Sequence, residues 1–194
     1  MLDAAEFVEV AVPLFIIINP LVVLPNFAEM SQQLDNRHCS LLSLRTSVSA
    51  FLLLAFFIFI GRPFLDLIGV STEAFMIACG LLLLSIAMGM LSGSPPTTRN
   101  VEFDTTSIVP MSIPLLAGPG SVATAIVLTE AHGAGIVFAA LVLSMVLSAF
   151  IFDRYRTIMH YMTRNGINAW TRLSSLFFAA IAVRLISEGI LLMR

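Results

Sequence analysis

Apolar residues fall in six long runs, at roughly 7–28, 41–61, 73–92, 108–130, 134–152 and 172–192, separated by short polar stretches. Each run approaches the about 20 residues that an α-helix needs to cross a bilayer. The pattern predicts six membrane-spanning helices, with Pro63-Phe64-Leu65-Asp66-Leu67-Ile68 lying at the interface as a piece too short to cross. Two of the runs are interrupted. Ile18-Asn19-Pro20-Leu21-Val22-Val23 breaks the first, and Ala117-Gly118-Pro119-Gly120-Ser121-Val122 breaks the fourth, 99 residues later. An internal proline removes a backbone donor and collides with the preceding turn, so each motif predicts a helix split near the midplane. In lipid, broken helices persist only where the freed backbone is buried in protein or lines a cavity.

The matched breaks divide the chain into two halves, about 1–92 and 108–194. Ser85-Ile86-Ala87-Met88 in the third run also resembles Ala180-Ile181-Ala182-Val183 in the sixth, at an offset of 95. Three spans per half make the second half inverted relative to the first, a recurrent transporter design. The fold class expected is therefore all-α, a single transmembrane domain of two inverted three-helix repeats. Arginine placement orients it. Arg37, Arg45, Arg99, Arg154, Arg156, Arg164 and Arg172 follow spans one, three and five, whereas only Arg62 and Arg194 lie on the opposite side. Both termini are thus expected outside the cytoplasm.

The breaks carry the candidate chemistry. A half-helix restarting at Pro119 leaves the amides of Gly120 and Ser121 unpaired at a partly positive N-terminus, which suits a carboxylate. Ser121 and Thr124 add hydroxyls, and the carbonyls near Leu116 and Ala117 could accept from an ammonium. In the first span, Asn19 is expected as an N-cap with Pro20 as the first residue of the second half-helix. Asn19, Pro20, Gly118, Pro119, Gly120, Ser121 and Thr124 are the candidate substrate-binding residues. Simple kinks are the alternative reading of the same prolines. Arg184 and Glu188, one turn apart within the sixth span, are candidates for coupling or gating; a structural ion pair or an Arg reaching to the interface is the alternative. Glu29 and Glu130 are expected at the interface. Small residues spaced by four, in Ala140-Ser144-Ser148, Ser85-Gly89 and Ser175-Ala179, are expected to mark helix-packing faces.

Composition agrees with a membrane protein and narrows its chemistry. The chain is 58% hydrophobic and 11% charged, with a mean hydropathy of +0.98. Its net charge of −2 gives no basic field for nucleic acid. All ten basic residues are arginines. The acidic N-terminus (Asp3, Glu6, Glu9) is unlike a secretory leader, so the first span is expected to be retained. Cys39 and Cys79 have no metal-ligand spacing, and His38, His132 and His160 fall in different loops with ordinary solvation expected. No HExxH pattern, phosphate loop, activated nucleophile or intramembrane carboxylate pair occurs. No enzyme activity, metal or cofactor is expected. The partners expected are the lipid bilayer and a small solute, an amino acid.

These residues resemble a known family. Pro13-Leu14-Phe15 through Asn19-Pro20-Leu21-Val22-Val23-Leu24-Pro25 is similar to the first-helix signature of MarC-type integral membrane proteins. Ile113-Pro114-Leu115-Leu116-Ala117-Gly118-Pro119-Gly120-Ser121-Val122-Ala123-Thr124 resembles their fourth-helix signature, and Ala180 through Gly189 their last helix. The resemblance implies six helices in a prokaryotic inner membrane, within a lysine-exporter-like superfamily, and transport of small neutral amino acids such as glycine and alanine. It departs where the family usually has Asp (here Asn19) and Gly (here Val22), and often Gln near Arg184 and Asp near Glu188. The expected function is alternating-access transport of such an amino acid between broken spans one and four. The amides of Gly120 and Ser121 would hold its carboxylate, and Asn19 its ammonium. A channel or exporter for another small polar solute, or a non-transporting accessory protein, is the alternative.

Overall fold

The computed structural model of the chain describes residues 4–31, 34–92, 116–162 and 164–193. Among them are the helices α1 (Ala4–Ile18), α2 (Pro20–Ser31), α3 (Asn36–Leu67), α4 (Thr72–Leu91), α5 (Pro119–His132), α6 (Ala134–Asp153), α7 (Tyr155–Tyr161) and α8 (Arg164–Leu192). Five stretches are long and apolar enough to cross a membrane: Ala4–Ser31, Arg37–Leu67, Thr72–Leu91, Ala134–Asp153 and Gly166–Leu192. They coincide with expected spans one, two, three, five and six. Span four is represented by α5; its first half, with Pro114, lies outside the described residues.

Two boundaries differ from expectation. The segment 63–68 is the end of α3, which runs on through Pro63. One internal proline forfeits one ladder bond, and near a helix end water can satisfy the freed carbonyl. Ile68 N and Val70 N then bond back to Phe64 O and Leu65 O, and Gly69, at φ 71°, makes the turn. Likewise α8 starts eight residues before the apolar run, at Arg164, because polar residues extend a helix beyond the bilayer without penalty.

Packing sorts the helices into pairs. The most extensive contacts join α4 to α8, followed by α3 to α6 and α1 to α6, with α5 against α1, α3 and α4. The α4–α8 seam is set by glycines. A Cβ on Gly80 would stand 2.9 Å from Ala182 O, and one on Gly189 would stand 2.9 Å from Glu73 O. Bare backbone there lets the helix axes approach, the device that membrane interfaces favour. The expected Ser85–Gly89 face is not the seam: Ser85 is exposed, and nothing lies within 4 Å of a Cβ built on Gly89. Ser144 and Ser148 of α6 are buried as expected, each returning its hydroxyl to a carbonyl one turn back. At the far end Phe27 stacks on Phe152 with centroids 4.8 Å apart and meets Tyr155 edge-on.

Contacts at the helix ends fix which ends lie together. At one end Glu6 meets His132 (3.3 Å), and Glu130 binds both Arg62 (3.6 Å) and Thr72 Oγ1 (2.9 Å). The start of α1, the ends of α3 and α5, the start of α4 and the end of α8 share this end. At the other, Ser40 Oγ donates to Asp153 at 2.8 Å. The described spans therefore alternate in direction, and the start of α1 and the end of α8 lie on one side. His132, expected simply to be solvated, is instead 15% exposed and paired across the bundle with Glu6.

Candidate functional site

The first break is real and one residue wide. Asn19 N donates to Phe15 O at 3.0 Å, closing the last turn of α1, and Val22 N donates to Asn19 O at 3.2 Å, opening α2. Between them Asn19 has φ 45°, the one left-handed non-glycine residue among those described. Pro20 explains both features. Its ring excludes the residue before it from right-handed helix, and asparagine is among the few side chains that tolerate the left-handed alternative. Asn19 thus ends one helix by its backbone. It does not cap the next by its side chain as expected, since its Oδ1 accepts from Trp170 Nε1 at 3.3 Å. Asn19 is 7% exposed, and its Nδ2 has no partner among the described residues.

The second break supplies a helix start. Gly118, with φ −70° and ψ 172°, is the N-cap of α5, and Pro119 occupies the first helical position. The first ladder bond is Val122 N to Gly118 O, at 3.1 Å. The amides of Gly120 and Ser121 come before it and have no acceptor within the helix. Ser121 Oγ turns back to Leu116 O at 3.0 Å, fastening the preceding strand of chain to the helix start. Gly120, Ser121 and Thr124 are buried; Gly118 is half-buried and Pro119 exposed. Thr129 returns its hydroxyl to Ala125 O, but Thr124 does not do the same to its own helix: its Oγ1 is buried without a partner among the described residues. An unpaired buried hydroxyl costs about 1–3 kcal/mol, which a bound polar group would recover.

The two breaks share one core. Leu116 and Ala117, just before Gly118, belong to the same buried cluster as Leu14, Ile18, Val23 and Leu24 around Asn19. Leu83 of α4 packs over Gly120 and joins a second cluster with Ile17 of α1 and Phe178 and Ala182 of α8. Pro20 is buried beside Asn19. Arg184 and Glu188 lie elsewhere. Arg184 Nε meets Glu188 Oε1 at 2.7 Å, with the two side chains 55% and 38% exposed, so the pair sits on the outer surface of α8. Its depth is also less than expected. Gly189 is level with Glu73 at the start of α4, and Arg184 lies five residues deeper, about 7.5 Å, with its guanidinium reaching back toward that end.

Three features were missed from sequence. Trp170 falls outside the apolar run, 151 residues from the asparagine it binds, and only its being the chain's single tryptophan singled it out. Glu130 was expected to be plainly interfacial, yet it ties α5 to α3 and α4. A cleft of about 330 Å³ opens beside it, lined by Phe57, Phe59, Arg62, Ile126 and Thr129 among others. None of the candidate substrate-binding residues lines that cleft.

Alternating apolar spans, a helix broken at Asn19 and a buried helix start at Pro119 define a multi-pass helical membrane protein with polar groups held inside its core. Comparison with known proteins places it further. The profile of the MarC family integral membrane proteins matches residues 4–193, and the chain belongs to that family. It is similar to UPF0056 membrane proteins of bacteria and archaea. One from Methanocaldococcus jannaschii is 30% identical over 97% of this chain and 98% of its own length. One from Aquifex aeolicus is 28% identical, covering 95% and 92%, and the Escherichia coli protein YhcE is 26% identical, covering 97% and 93%. No solved structure matches the chain.

Proposed function

We propose that this protein is a secondary transporter of small neutral amino acids, of glycine or alanine size, that works by alternating access in a prokaryotic inner membrane. The observation that carries the reading is the buried start of α5, where the Gly120 and Ser121 amides and the unpartnered Thr124 hydroxyl converge on one turn. A helix N-terminus is a ready site for a carboxylate. In lipid, matched breaks in the two halves of a chain point to a solute site. The close packing of α3 on α6 and of α4 on α8 joins two of the three spans of one half to their counterparts in the other, as inverted three-helix repeats would, while α5 packs against α1, α3 and α4 alike. The arginine asymmetry supports placing both chain ends outside the cytoplasm. Carbonyls near Leu116 and Ala117 are the acceptors offered for the ammonium. Arg184 and Glu188, paired at the exposed surface of α8, take no part in holding the solute in this reading.

The test is alanine movement in proteoliposomes. A carrier gives saturable uptake that is accelerated by unlabelled alanine on the far side. Ionic conductance without such exchange would identify a channel, and neither activity would point to an accessory protein.

A further inference from the structure

The hydrogen bond between Trp170 and Asn19 decides which face of the asparagine is left for a ligand. An indole N–H can only donate, so the atom it meets must be the carboxamide oxygen, and the amide orientation follows. The free atom is then Nδ2, a donor, buried and without an acceptor among the described residues. An ammonium cannot occupy that position, because it too can only donate. This reverses the part expected of Asn19. Both breaks then present N–H donors: Nδ2 at the first, the Gly120 and Ser121 amides at the second.

We propose that Trp170 is a positioning residue that turns Asn19 Nδ2 toward the solute as a donor, so that the protein selects small carboxylates by their oxygens. The proposal rests on the solute site described above and deepens it: the carboxylate is required and the ammonium is not. Trp170 reaches the break from α8, the helix that packs along α4. Movement of α8 would therefore release the amide.

Asn19→Asp is the sharp test. Aspartate keeps the acceptor for Trp170 and tolerates the left-handed backbone, yet replaces the donor with a charged oxygen. Binding of alanine, propionate and ethylamine is measured on the purified full-length protein through the fluorescence of its one tryptophan and by thermal shift. Wild type should bind alanine and propionate but not ethylamine. Asn19→Asp should lose about ten-fold or more in affinity for both acids near neutral pH, and regain it for alanine, whose own carboxylate stays ionised, as pH falls toward about 4, where the introduced carboxyl takes up a proton and again donates. Trp170→Phe should weaken propionate binding in the wild type but add no loss in the Asn19→Asp background, when competition with a labelled acid is the readout. Tighter alanine binding by Asn19→Asp near neutral pH would overturn the proposal, as would a loss that ignores pH or ethylamine competing where propionate does not. Propionate binding without alanine transport would defeat the amino acid reading and leave this one standing. Alanine transport improved by Asn19→Asp would do the reverse.

Discussion

Gly120 lies directly against Leu83: a Cβ placed on the glycine would overlap the leucine Cδ2 and stand 3.0 Å from its Cγ. The contact joins the start of α5 to α4, and Leu83 is 1% exposed. Gly120 is thus a packing residue as well as a candidate amide donor. Substituting it with a bulky residue will disturb folding, contrary to what its place in a motif alone suggests.

Gly120→Ala should therefore destabilise the protein by about 1–3 kcal/mol, the usual cost of forcing a methyl into a packed interior. Leu83→Ala in the same chain should make room for it. Thermal unfolding in detergent should show the double variant losing less than the sum of the two singles.

The α4–α8 seam makes a second, graded expectation. Gly80→Val and Gly189→Val push a side chain into backbone oxygens of Ala182 and Glu73, which cannot rotate away. Each should cost at least as much as Gly120→Ala. Gly89→Val, with open space around it, should stay within about 0.5 kcal/mol. Equal losses at Gly89 and Gly80 would mean that the seam is placed wrongly.

The contrast between these glycines shows what could be read from sequence and what could not. Five spans, the break at Asn19 and the helix start at Pro119 were legible, because length of apolar run and proline chemistry are local properties. The buried face of a span was not. Residues 75–91 of α4 are apolar all round except Ser85, so no periodicity separates the Gly80 side from the Gly89 side. Lipid and protein interior are equally apolar, and the usual signal of amphipathicity vanishes. At the site, Gly118 and Pro119 form the helix start that their motif implied, whereas the Ser121 hydroxyl is spent on Leu116 O. Asn19 did not behave as its motif implied, since its side chain was claimed by Trp170, a partner too far along the chain for any local rule to find.

The exposed pair on α8 should matter little. Arg184→Gln combined with Glu188→Gln should change stability by less than about 1 kcal/mol and alanine exchange by less than about two-fold. Stability by thermal unfolding and exchange in proteoliposomes check the two halves of this statement. A large loss of exchange at unchanged stability would give the pair a coupling role.

Orientation has a direct check as well. Leu67 and Tyr161 are 83% and 80% exposed, at opposite ends of the bundle, whereas native Cys39 and Cys79 are buried. A membrane-impermeant thiol reagent should label Leu67→Cys in intact cells and Tyr161→Cys only after the membrane is opened.

The central claim is that polar groups at the two breaks hold a solute, and Thr124 isolates it. Its hydroxyl is buried and unpartnered, so Thr124→Val removes a polar atom while keeping shape and sparing the fold. Counterflow of labelled alanine in proteoliposomes should be saturable for the wild type. It should fall about ten-fold for Thr124→Val, with thermal stability equal or higher. Exchange that is undiminished in Thr124→Val, or absent from the wild type, would contradict the account.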